Sequence, residues 1–194
     1  TAFAVKAAGD FDSSFREIAT LLNRPINDLG EFREAILSYA NTSTAPLEQV
    51  TAAIYTAISA GVPLEDSIKA VATAEKLSIA GKGELNDTLR VLVGSLNAYG
   101  LGMDSADRFS DALFNTVKLG QTTLPELANS LSNVTGAAAA VGVPFETMLA
   151  AISTLTAAGT PTAQAVTQIN AVLTSLIKPS KEASDLAKEL GIEF

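Results

Sequence analysis

The sequence predicts an all-α protein, a compact helical bundle of about ten short helices of roughly 10 to 18 residues each. Apolar residues recur three or four positions apart along almost the whole chain, which is the spacing of one face of an α-helix. Aromatic residues make up only 6% of the 194 residues, while Ala and Leu supply much of the 47% apolar share. This balance suits closely packed helices better than a β-sandwich, and no segment indicates a convincing strand.

Two apolar stripes predict two helices at the start of the chain, which we expect to form an N-terminal helical arm over residues 1–41. The stripes of the arm are Phe11, Phe15, Ile18 and Leu22, followed by Leu29, Phe32, Ile36 and Tyr39.

Eight further stripes predict two sets of four helices, one in residues 42–120 and one in residues 121–194. Those of the first set are Leu47, Val50, Ile54 and Ala57; Leu64, Ile68, Val71 and Ala72; Leu85, Leu89, Leu92, Leu96 and Tyr99; and Phe109, Leu113 and Val117. Those of the second set are Leu124, Leu127, Leu131, Val134 and Val141; Phe145, Met148, Leu149, Ile152 and Leu155; Val166, Ile169, Leu173 and Leu176; and Leu186 and Leu190.

Residues between the stripes predict the ends of the helices. Thr123 and Glu126 have the spacing of a capping box, with Pro125 in the first turn, where its missing N–H costs no hydrogen bond. Thr160 before Pro161, Asp104 and Ser180 are expected to be N-caps as well. Seven glycines are expected just past helix ends, where a left-handed residue is common. They are Gly61, Gly81, Gly100, Gly120, Gly142, Gly159 and Gly191.

The two sets of helices resemble each other. Residues 45–65 resemble residues 123–146, and both segments end on Gly-Val-Pro-apolar-Glu. After each comes a helix that ends in Ala-Gly, then an amphipathic helix, then a short charged helix. We therefore predict two tandem four-helix repeats, 42–120 and 121–194, which stack to bury faces that neither could bury alone.

Several short motifs occur in a fixed order in the second half of the chain. They are LNAYG (96–100), the Thr-Leu-Pro-Glu helix start at 123–126, AAVGV (139–143), the L-x-x-x-G-x-x-x-x-Q-A-x-x-x-I pattern of 155–169, and KPSKEA (178–183). This ordered set resembles the core region of the tape measure proteins of long-tailed phages and prophages, over about residues 90 to 191 and more weakly from Phe11 onward. Pro63 and Pro144 depart from the pattern, since Ser or Thr is usual there.

This resemblance implies a structural protein of the virion tail, active in tail assembly, length determination and genome ejection. It implies other copies of the chain and the tail-tube and tail-tip proteins as partners. The implied location is the lumen or tip of the tail, and the host cytoplasm during assembly. As one helix, 194 residues would span about 290 Å, but Pro and Gly breaks exclude that. We therefore expect this chain to be an anchoring or oligomerising core and not the segment that measures tail length. Since the sequence starts at Thr1, we also expect it to be a piece of a longer chain.

No pattern of residues predicts a catalytic, cofactor or metal site, so we expect no enzyme activity. The chain has no His and no Cys, and Ser180, between Lys178 and Lys181, is better explained as a helix cap. Three carboxylate pairs fall at helix starts, where negative charge complements the helix dipole. They are Asp10 and Asp12, Glu65 and Asp66, and Asp104 and Asp107. The net charge of −8 and the scattered basic residues argue against binding nucleic acid.

Residues 147–177 contain no charged residue, whereas their counterpart in the first repeat, 64–99, keeps its charges. Gly159, Thr160 and Pro161 divide this segment into two helices, each too short and too polar for an ordinary membrane span. The absence of charge predicts a surface that meets protein or lipid, centred on Met148, Leu149, Ile152, Leu155, Ile169, Leu173 and Leu176. Protein enclosure, partly by neighbouring subunits, is the first hypothesis. The alternatives are a membrane-active module that helps DNA pass the bacterial inner membrane and a generic helical-repeat adaptor.

Overall fold

The computed structural model describes the backbone of residues 2–191 and the side chains of residues 9–191. Within residues 2–191 there are eleven α-helices, two short 3-10 helices (Ile26–Leu29 and Met103–Ser105) and no β-strand, which confirms the predicted all-α class. The α-helices are α1 (Ala2–Leu22), α2 (Gly30–Ala40), α3 (Leu47–Ser59), α4 (Leu64–Gly81), α5 (Leu85–Ala98), α6 (Ala106–Leu119), α7 (Leu124–Ser130), α8 (Ser132–Ala140), α9 (Phe145–Ala157), α10 (Thr162–Ile177) and α11 (Lys181–Glu189).

Helix lengths run from 7 residues in α7 to 21 in α1, a wider range than predicted. The predicted helix of residues 124–141 is divided into α7 and α8 at Leu131. Leu131 nevertheless keeps helical dihedral angles, φ −61° and ψ −31°, so α7 and α8 form a nearly continuous rod.

Two of the predicted caps are confirmed and two are wrong. Thr123 and Glu126 form the reciprocal capping box, and the Ser180 hydroxyl accepts a hydrogen bond from the Ala183 N–H. Asp104 does not cap α6, because it lies inside the 3-10 helix that precedes α6. Thr160 does not cap α10 either. Its N–H bonds to the Leu155 carbonyl in the turn that ends α9, and α10 begins at Thr162 with no side-chain cap.

Five of the seven predicted glycines adopt left-handed dihedral angles, with φ between 64° and 93°. They are Gly61, Gly100, Gly142, Gly159 and Gly191. Gly81 is instead the last residue of α4, and Lys82 takes the left-handed conformation. Space explains this glycine, because a Cβ at Gly81 would approach the Leu124 side chain to 2.8 Å. Gly120 is extended, with φ −92°.

One continuous core runs from α1 to α10. Helix α1 packs on α3, and α3, α4 and α5 pack on one another. Helix α5 then packs on α7 and α8, while α6 lies between α4 and α9. Because α5 and α6 contact both halves of the chain, they join the two halves into one bundle.

An aromatic cluster lies at this junction between the halves. The rings of Phe109 on α6 and Phe145 on α9 stack at 4.2 Å, and the Tyr99 ring meets the edges of both at 5.8 Å. The Tyr99 hydroxyl donates to the Val143 carbonyl at 2.8 Å. Burial, together with the Glu146 carboxylate, raises the pKa of Tyr99 to about 12, so the hydroxyl remains a donor throughout the neutral range.

The helices follow the order expected of an arm and two repeats: α1–α2, α3–α6 and α7–α11. The domain boundaries 1–41, 42–120 and 121–194 stay a prediction, since the order of helices alone does not establish that two units are copies of one plan.

Candidate interaction surface

The uncharged segment forms α9, the turn 158–161 and α10, and most of its predicted surface residues lie inside the protein. Met148, Leu149 and Ile152 are at most 1% exposed, because α9 is held between α6 and α10. Leu173 on α10 is also buried. These four side chains contact other helices of the same chain, and their role as a partner surface stays a prediction.

The other three predicted residues remain accessible to different degrees. Leu155 and Ile169 are half-buried, and Leu176 is exposed. Ile169, Val172 and Leu176 follow one another on one face of α10, since positions three and four apart lie on the same side of a helix. The predicted surface therefore shifts from α9 to the C-terminal half of α10.

Further exposed apolar side chains lie on α10 and α11. Between α10 and α11 the structure exposes Val172 (60%), Leu176, Ile177, Leu186 and Leu190 (65%), which together we call the α10–α11 surface. They are five of the eleven exposed large apolar side chains described on the whole molecule. Single exposed apolar residues are ordinary on protein surfaces, and these five lie on two consecutive helices of the chain.

Sequence analysis did not name Val172 or Ile177 as surface residues, and it gave Leu186 and Leu190 only as the last apolar stripe. The sequence of α10 does contain a signal, because its apolar stripe is wider than that of a helix that packs against the protein on one side only. No such signal exists for α11, because an amphipathic stripe looks the same whether the chain covers it or leaves it open.

Helix α11 packs only lightly on the other described helices, although Ala187 is buried. Its charged residues are both acidic and basic. They are Lys181, Glu182, Asp185, Lys188 and Glu189. The helix therefore combines an exposed apolar face with a charged face of mixed sign.

A shallow groove of about 540 Å³ runs between α6 and α9. Small side chains such as Ala112, Ala150 and Ser153 form its floor, Leu119 lies exposed in its wall, and Glu146 is its only charged lining residue. Its position between two packed helices makes it a feature of the junction between the halves, and it brings no reactive groups together.

Two carboxylates, the buried Glu75 and the exposed Glu126, hold helix starts in place. Glu75 on α4 accepts hydrogen bonds from the Tyr39 hydroxyl at the end of α2, and from the Ser43 hydroxyl and the Thr44 N–H and hydroxyl in the segment that leads into α3. Burial alone would raise the pKa of Glu75, but these hydrogen bonds outweigh burial and lower the pKa to about 2. Burial and the bond to Glu75 raise the pKa of Tyr39 above its ordinary range.

The second carboxylate, Glu126, links α7 to α10. Its Oε2 accepts from the Thr123 N–H at 3.0 Å and from the Thr162 hydroxyl at 3.2 Å. Thr162 also shares a 2.7 Å hydrogen bond with the buried Thr122 hydroxyl. Both clusters are satisfied by the chain itself, which identifies them as structural contacts between helices.

Three of the groups considered for catalysis or metal binding are engaged in structural contacts. Ser180 caps α11, Asp12 pairs with Arg33 at 2.6 Å, and Asp107 accepts a hydrogen bond from Thr73 at 3.3 Å. Among the residues that the structure describes, no three acidic side chains come together as a metal site. In the same part of the chain, no helix combines the length and the apolar character needed to cross a membrane.

Comparison with known proteins gives a family match over nearly the whole chain. A model of the family described as "phage-related minor tail protein" matches residues 5–194. The probable tape measure protein of Clostridium phage phiCD119 is 29% identical over 185 residues, which cover 93% of this chain and 20% of that protein. The tape measure protein of Pneumococcus phage Dp-1 is 20% identical over 193 residues, which cover 100% of this chain and 17% of that protein.

The chain thus spans no more than about a fifth of the length of these two relatives. No solved structure matches it.

Proposed function

Because the chain belongs to the phage-related minor tail protein family, we propose that it is a structural module of a tape measure protein that takes part in tail assembly, length determination and genome ejection. Within that role we assign it anchoring and oligomerisation rather than measurement. The observation that carries this assignment is a compact bundle with an exposed apolar surface on α10 and α11.

The dimensions of the bundle argue against a ruler. Its longest helix, α1, has 21 residues and spans about 32 Å at 1.5 Å per residue. A measuring segment must keep an extended length, whereas here the helices fold back on one another around a common core. The extended part of such a protein would lie outside this segment.

The proposed partners are other copies of the chain and the proteins of the tail tube and tail tip, with the virion tail as the location and the host cytoplasm as the place of assembly. A net charge of −8 suits a protein that shares a tube with DNA and must not adhere to its phosphates. The role needs no cofactor, and we assign the chain no catalytic step.

Deletion of the segment from the phage gene separates an anchor from a ruler. We expect loss of tails, seen as tail-less heads in negative-stain electron microscopy, because the remaining protein would lack its attachment. Complete tails shortened by about 290 Å, the length of 194 residues as one helix, would instead identify a ruler. In a parallel binding assay we expect the purified chain to be retained on isolated tail-tip proteins.

A second candidate function is contact with the bacterial inner membrane, which the exposed side chains Val172, Leu176 and Ile177 favour. Under this alternative the purified chain would release dye from anionic vesicles, and a Leu176→Asp variant would not. Leu176 is the suitable position because it is 48% exposed, whereas an aspartate at the buried Leu173 or Ile152 would unfold the bundle. Intact vesicles would eliminate the alternative.

A further inference from the structure

We draw no further inference here: the strongest candidate, the α10–α11 surface, is an exposed apolar face, and nothing in the structure shows what covers it.

Discussion

Glu75 shows how one side chain fixes the path of the backbone between two helices. It is only 8% exposed, and its carboxylate accepts four hydrogen bonds from Tyr39, Ser43 and Thr44. A buried carboxylate is costly unless it is fully hydrogen-bonded, and this one is stabilised because its donors come from the segment that it must hold. Glu75 therefore ties the start of α3 to α4.

Glu75→Gln should lower the free energy of unfolding by about 1.5–3 kcal/mol at neutral pH, because hydrogen bonds to a charged acceptor are replaced by weaker ones. The folded-state pKa of about 2 lies below the ordinary value of 4.5. The advantage of the wild type should therefore be complete above pH 4.5 and disappear as the pH falls toward 2. Urea unfolding at several pH values measures it. Glu34→Gln, at an exposed position of α2, is the control, and an equal loss there would argue against this role of Glu75.

At the scale of elements, the close approach of α6 and α9 depends on a residue without a side chain. A Cβ on Gly120, at the end of α6, would lie 2.5 Å from the Thr156 hydroxyl oxygen, 2.9 Å from the Thr116 carbonyl and 3.2 Å from the Ser153 Cα. Two of these neighbours are backbone atoms, which cannot rotate away. Gly120 is needed here for space, since its φ of −92° suits any residue.

Gly120→Ala should destabilise the bundle by about 1–3 kcal/mol, the usual cost of overpacking. Gly136→Ala is the matched control, because Gly136 lies within α8 with no atom within 4 Å of the added methyl group. That control should gain about 0.5–1 kcal/mol, since alanine favours the helix. Thermal unfolding of both variants gives the comparison, and equal changes would show that the Gly120 site has room.

For the molecule as a whole, α5 and α6 make the two halves one folding unit. Their core faces are completed by α7, α8 and α9, so neither half is fully covered without the other. The aromatic cluster of Tyr99, Phe109 and Phe145 lies where the halves meet. The chain should consequently unfold in a single transition.

Phe109→Ala should lower the free energy of unfolding by about 3–5 kcal/mol while the transition stays single, since it leaves a cavity in the shared junction. Phe114→Ala, on the same helix but 37% exposed, should cost about 1 kcal/mol or less. Denaturant unfolding followed by circular dichroism and by tyrosine fluorescence provides the measurement. Two separate transitions would show that the halves fold independently.

The sequence predicts which side of a helix is apolar, but it does not predict which surface packs against that side, as α9 and α11 show. The stripe of Met148, Leu149 and Ile152 and the stripe of Leu186 and Leu190 have the same spacing. The first was expected to face a partner and is buried, while the second, for which no covering surface was predicted, is exposed. The spacing of apolar residues records which side of a helix avoids water, but it contains no information on which surface covers that side.

The sequence by itself determined most of the helices, the capping box of Thr123 and Glu126, the Ser180 cap and the division of the uncharged segment at Gly159, Thr160 and Pro161. These depend on local spacing and on hydrogen bonds between residues close in the chain. Only the tertiary structure decided that α6 lies between α4 and α9, that Glu75 holds the start of α3, and that the apolar faces of α10 and α11 stay open. Those features join residues far apart in the chain, where the packing of whole helices, and not local preference, sets which side chains meet.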